Sequence, residues 1–142
     1  MIGEAVHFLD TVASIAGATP VSWTSTGDME SETLLRQNFA IQVGFADGSC
    51  ASILYSADGS PSTGKERIEV LGRGHSAVID DFSELVIDGK RVWRGATNKG
   101  HVEQFQELYR ALTGSPSDKM WRHLEQRQVL ELSQIIIDCA EL

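Results

Sequence analysis

Residues 38–59 read NFAIQVGFADGSCASILYSADG, and this stretch decides the fold. Phe39, Ile41, Val43 and Phe45 alternate with Ala40, Gln42 and Gly44. That period of two marks a half-buried strand. Asp47-Gly48 then supplies a tight hairpin turn. Residues 49–57 return, with Ala51, Ile53 and Tyr55 on one face and Cys50, Ser52, Leu54 and Ser56 on the other. Two alternating strands joined by such a turn commit the middle of the chain to antiparallel sheet.

Outward from this hairpin the pattern repeats. Residues 58–64, DGSPSTG, are turn formers and predict a loop. Strands are expected at Arg67–Leu71, His75–Asp80, Leu85–Ile87 and Arg91–Arg94, with Asp88-Gly89 as a second tight turn. On the N-terminal side, Pro20–Ser25 is extended, with Val21 and Trp23 alternating against Ser22 and Thr24. Residues 26–37 are polar and read as a loop or arm.

Helices flank the strands. In residues 2–16, Ile2, Val6, Leu9, Val12, Ala13 and Ala16 recur at helical spacing, and Gly17 is a stop. Glu4, His7, Thr11 and Ser14 step by three or four along a separate polar face. A second helix is expected over 99–113, burying Val102, Phe105, Leu108, Tyr109 and Leu112, with Gly114 and Pro116 ending it. A short turn at 117–123 and a last helix over 125–141, along Val129, Leu132, Ile136 and Cys139, complete the chain. Helix, strands, helices in that order predicts an α+β fold. Its sheet should be open, mostly antiparallel and about six-stranded, with helices on one face.

The 142 residues match one domain spanning 1–142. With 42% hydrophobic and 23% charged residues, the chain is neither disordered, collagen-like nor a coiled-coil rod. No apolar run approaches the roughly 20 residues that cross a bilayer. Twenty acidic against twelve basic residues give a net charge of −8. That sign disfavours nucleic acid and anionic membrane surfaces as partners. There is no charged-then-apolar leader, so a cytoplasmic location is expected. Cys50 and Cys139 lack metal-ligand spacing and read as small buried hydrophobes.

His7 carries the clearest chemical signal. A carboxylate three residues earlier, at Glu4, can orient an imidazole on one helix face. Such a pair suits proton exchange with a substrate hydroxyl, although a surface histidine beside a surface glutamate has the same spacing. Lys65, at a loop-to-strand junction, can meet an anion or a sugar hydroxyl, or be a solvated strand end. Lys65 and Tyr55 are the candidate substrate-binding residues. His101 suits helix capping, and His75 and His123 receive no role. There is no dinucleotide GxGxxG after a strand, no phosphate loop, no HExxH and no GxSxG. No cofactor or metal site is expected in this chain.

Four blocks in order, IGEAVHFLD (2–10), residues 38–59, KERIEVLGRGHSAVIDDF (65–82) and NKGHVEQFQELYRAL (98–112), carry a resemblance. Together they resemble the C-terminal domain of the glucose–fructose oxidoreductase / inositol 2-dehydrogenase / MocA (GFO/IDH/MocA) family. The resemblance covers residues 2 to about 114, and the last helix fits as well. It implies a parent enzyme with an N-terminal Rossmann domain that binds NAD or NADP. It implies sugars, inositols or related polyols as substrates, and a C-terminal domain that lines the substrate pocket and makes the oligomer contact. A histidine on the first helix of that domain faces the pocket, and His7 matches it. Many members carry an aspartate four residues before that histidine; here that position is Gly3, and Glu4 follows it. The Rossmann domain, and the lysine in it that the resemblance implies assists the chemistry, have no counterpart in these residues, so the chain is expected to be inert alone.

Two other functions compete. The sheet face carrying Ala40, Gln42 and Gly44 is small and weakly polar, as a solvated face or a homo-oligomer surface would be. A stand-alone, non-catalytic module that dimerises or binds a ligand or partner would use it. An unrelated α+β ligand-binding barrel enclosing His7 is the third possibility.

Overall fold

The computed structural model describes residues 2–27, 38–114, 131–135 and 137–138. The expected loop residues 28–37, the turn at 117–123, Val129, Ile136, Cys139 and most of the last helix lie outside the described residues. So do the side chains of Glu4 and Leu112. The elements run α1 (Ile2–Ala16), β1 (Pro20–Gly27), β2 (Asn38–Phe45), β3 (Cys50–Ser56), β4 (Arg67–Gly72), β5 (His75–Asp80), β6 (Glu84–Ile87), β7 (Lys90–Arg94) and α2 (His101–Thr113). This is an α+β fold, as the segregation of helix and strand signals predicts.

All strand pairing is antiparallel, in two ladders ordered β1-β2-β3 and β4-β5-β6-β7. Among the described residues the strands number seven, and hydrogen bonding does not run from β3 into β4. Between them lies the connection 57–66, where Gly59, Pro61 and Gly64 favour turns over ladder pairing. The chain divides into two compact units, residues 1–59 with 121–142 and residues 60–120.

In the first unit the alternation at 38–45 does what its period dictates. Phe39, Ile41, Val43 and Phe45 are all buried, while Gln42 between them is exposed. They form one cluster with Ile53 of β3, Ala5, Leu9 and Ala13 of α1, and Leu132 and Ile135 of the helical residues 131–135. Ile41 and Leu9 are shielded from water almost completely. Burial of each such side chain contributes about 1.5–3 kcal/mol of transfer free energy. Ala5, Leu9 and Ala13 recur every fourth residue, so small and large side chains line the α1 face that meets the sheet. Helix α1 ends where Gly17, at φ 64°, donates its N–H to the Ala13 carbonyl at 2.9 Å.

The β2–β3 connection is a three-residue loop. The Gly48 N–H closes a turn on the Phe45 carbonyl at 3.0 Å, and the Phe45 N–H bonds the Ser49 carbonyl at 2.9 Å. Gly48 takes the left-handed conformation at φ 85°. This is a type I turn followed by a glycine bulge, a standard way to keep two strands in register. Asp47 Oδ1 accepts both the N–H and the hydroxyl of Ser49, which fixes the loop from outside.

In the second unit the register puts Ile68, Ile79 and Leu85 side by side, with Val70, Ala77 and Ile87 next along the same face. None of the described residues between 60 and 120 is buried. Three of its turns contain consecutive left-handed residues: Arg73-Gly74, Asp81-Phe82 and Asp88-Gly89. Such pairs give the twist that a tight hairpin needs.

Two expectations are corrected here. Val102, Phe105, Leu108 and Tyr109 of α2 are exposed, at 41–71%, instead of buried. The helical period is present, but an apolar stripe is buried only where another surface lies against it. Cys50 is also exposed, because the β3 register turns it outward with Ser52 and Leu54.

Candidate functional site

His7 lies in the second turn of α1, on the exposed face opposite Ala5 and Leu9. Its backbone carbonyl accepts the Thr11 hydroxyl at 2.8 Å. That bond satisfies the Thr11 hydroxyl within the helix, and the His7 side chain is exposed. Glu4 occupies the preceding turn of the same helix, the i−3 spacing that the sequence predicts. Leu9 and Ala13, anchored in the core, set the rotation of α1 and so decide that position 7 points outward.

Tyr55 sits on the inward face of β3. Its ring stacks on Phe39 at a centroid distance of 5.0 Å and meets Phe8 at 6.0 Å. Offset aromatic pairs of this kind add about 0.5–1.5 kcal/mol beyond burial. Phe8 is the immediate neighbour of His7, so Tyr55 helps to hold the turn of α1 that carries the histidine. This packing role was not legible in the sequence, where Tyr55 reads only as an alternating strand residue.

Lys65 belongs to the second unit. Its backbone N–H donates to Asp81 Oδ1 at 3.1 Å, and its side chain is exposed. Around it the end of the four-stranded sheet is heavily tied. The Asp81 N–H reaches the Glu66 carbonyl at 2.7 Å, and the Asn98 N–H reaches the Phe82 carbonyl at 3.0 Å. Lys99 pairs with the Glu66 carboxylate and lies 5.7 Å from the centre of the Phe82 ring. Asn98 also accepts from the Gly100 N–H and donates to Glu103, which fixes the first turn of α2. The Glu103 carboxyl is held below its ordinary range by its own backbone N–H and then by Asn98.

At the other end of that sheet, His75 Nδ1 lies 2.8 Å from Asp88 Oδ2, and the Ser76 N–H donates to Asp88 Oδ1 at 2.9 Å. The sequence reading missed this pair; the signal available was a histidine after one Gly-containing turn and an aspartate opening another. On β6, Glu84 accepts from Arg91 at 2.7 Å, which lowers its proton affinity against the opposing effect of partial burial. No group of three metal-ligating side chains occurs among the described residues. No described helix is long and apolar enough to cross a membrane.

The outward face of β1–β3 carries Ser22, Thr24 and Thr26, then Ala40, Gln42 and Gly44, then Cys50, Ser52 and Leu54. None of these nine side chains is charged. Ser52 Oγ donates to Gln42 Oε1 at 2.8 Å, and Leu54 is 84% exposed. A shallow depression of about 240 Å³ opens over Gly44. A Cβ at position 44 would lie 2.6 Å from Ser22 Oγ, so any larger residue there would have to displace the Ser22 hydroxyl.

The chain matches no protein-family model and no curated protein. It does match solved structures. One is a Thermotoga maritima protein described as a "putative oxidoreductase", with a TM-score of 0.67 and 13% sequence identity. The likeness is one of fold. It covers 94% of this chain but 41% of the Thermotoga maritima chain. The present chain therefore shares its architecture with about two-fifths of that protein.

Proposed function

We propose that this chain is the substrate-binding and oligomerisation domain of an NAD(P)-dependent oxidoreductase of the GFO/IDH/MocA type, acting in the cytoplasm on a sugar, inositol or related polyol. The observation that carries the reading is the coverage of the fold match: nearly all of this chain corresponds to a minor part of a protein described as an oxidoreductase. The order of the four sequence blocks that resemble the family supports it independently.

The described residues do not fit a dinucleotide. Every described strand pairing is antiparallel, and the described connection from β7 to α2, residues 95–100, has glycine only at Gly95 and Gly100 and lacks the GxGxxG spacing. The backbone cradle that a pyrophosphate needs is therefore missing from these elements. In this reading the cofactor is held by a separate domain, and this chain contributes side chains to the substrate. His7 exchanges a proton with the reacting oxygen of the substrate, and Glu4 orients the imidazole. A positioned histidine in that role accelerates a reaction about 10²–10⁴-fold. Tyr55, partly buried against Phe39 and Phe8, and Lys65, exposed, are kept as separate candidate substrate contacts.

The test begins with the native polypeptide, detected by immunoblot with an antibody raised against this chain. A band far above 15.5 kDa is expected. In that longer protein, His7→Ala should lower kcat about 10²-fold or more while leaving the thermal midpoint unchanged. Unaltered turnover would remove His7 from the mechanism.

The uncharged outward face of β1–β3 favours a second reading, a stand-alone module that forms homo-oligomers. In a chain of net charge −8, two copies approach with least repulsion where neither presents a carboxylate. A native band at 15.5 kDa together with a dimer by light scattering, split by Leu54→Asp, would support this reading. A strict monomer at high concentration would dismiss it.

A further inference from the structure

We draw no further inference here: the strongest candidate, the exposed apolar stripe of α2 formed by Val102, Phe105, Leu108 and Tyr109, carries nothing because nothing in the structure shows what covers it.

Discussion

His75 and Asp88 join two hairpin turns, with Nδ1 lying 2.8 Å from Oδ2. One turn closes β4 on β5 and the other closes β6 on β7. The Ser76 N–H, donating to the same carboxylate, is the larger reason that Asp88 holds its proton less tightly than a free aspartate; His75 is the second.

That lowered affinity has a pH signature. A carboxyl whose folded value lies below its unfolded value, about 3.9, stabilises the fold above the unfolded value. The contribution disappears as pH falls through the folded value. Asp88→Asn keeps a side chain tolerant of the left-handed backbone and removes the charge. The gap in denaturation midpoint between native protein and variant should be widest near neutrality and should close on acidification. A gap independent of pH would show that the carboxylate contributes nothing.

Arg73 stands at φ 51° in the exposed β4–β5 turn, ahead of Gly74. Asn-Gly is the preferred pair for such a turn, and a left-handed residue other than glycine or asparagine carries about 1–2 kcal/mol of strain. Arg73→Asn should raise stability by about 0.5–1 kcal/mol, read as a higher thermal midpoint. A lower midpoint would contradict the assigned turn geometry.

Ile41 and Leu54 separate pattern from burial. Both are large aliphatic residues on paired strands, but Ile41 is wholly buried and Leu54 is 84% exposed. Ile41→Ala should cost about 2–5 kcal/mol in urea denaturation. Leu54→Ala should change the monomer by no more than about 0.5 kcal/mol. A larger loss at Leu54 than at Ile41 would mean that the sheet faces are reversed.

Lys99, held by Glu66 and the Phe82 ring, ties the segment before α2 to the β5–β6 turn. The pair is partly solvated, which limits its worth to about 0.2–1 kcal/mol. Glu66→Gln should lower overall stability only slightly while speeding hydrogen exchange in the first turn of α2. Raised salt should produce the same change in the native protein. Exchange in that turn indifferent to both would separate Lys99 from the placement of the helix.

The sequence made the β2–β3 hairpin legible because Phe39, Ile41, Val43 and Phe45 obey one period and Asp47-Gly48 one turn chemistry. The α1 face was legible for the same reason. The Asp81-Phe82 turn was not. A phenylalanine at φ 49° defeats any rule built on glycine and asparagine, and the turn persists because Glu66 and Asn98 bond to its backbone from distant positions. Period alone also misled at α2, where the stripe exists without a covering surface among the described residues. At the candidate site, spacing placed His7 on the open side of its helix, but the aromatic support from Phe8 and Tyr55 required knowledge of strand register.

The three-residue loop at 46–48 also sets where this chain can grow. Removing or adding one residue there would shift β3 by one position against β2. Cys50, Ser52 and Leu54 would then turn inward, and Ala51, Ile53 and Tyr55 outward, so Phe39 would lose its stacked ring. The connection 57–66 carries no such phase. Lengthening it adds closure entropy of only about 0.6 kcal/mol per doubling. Insertions, tags and natural length variation should therefore be tolerated near Ser60 and Ser62 and eliminated at Asp47.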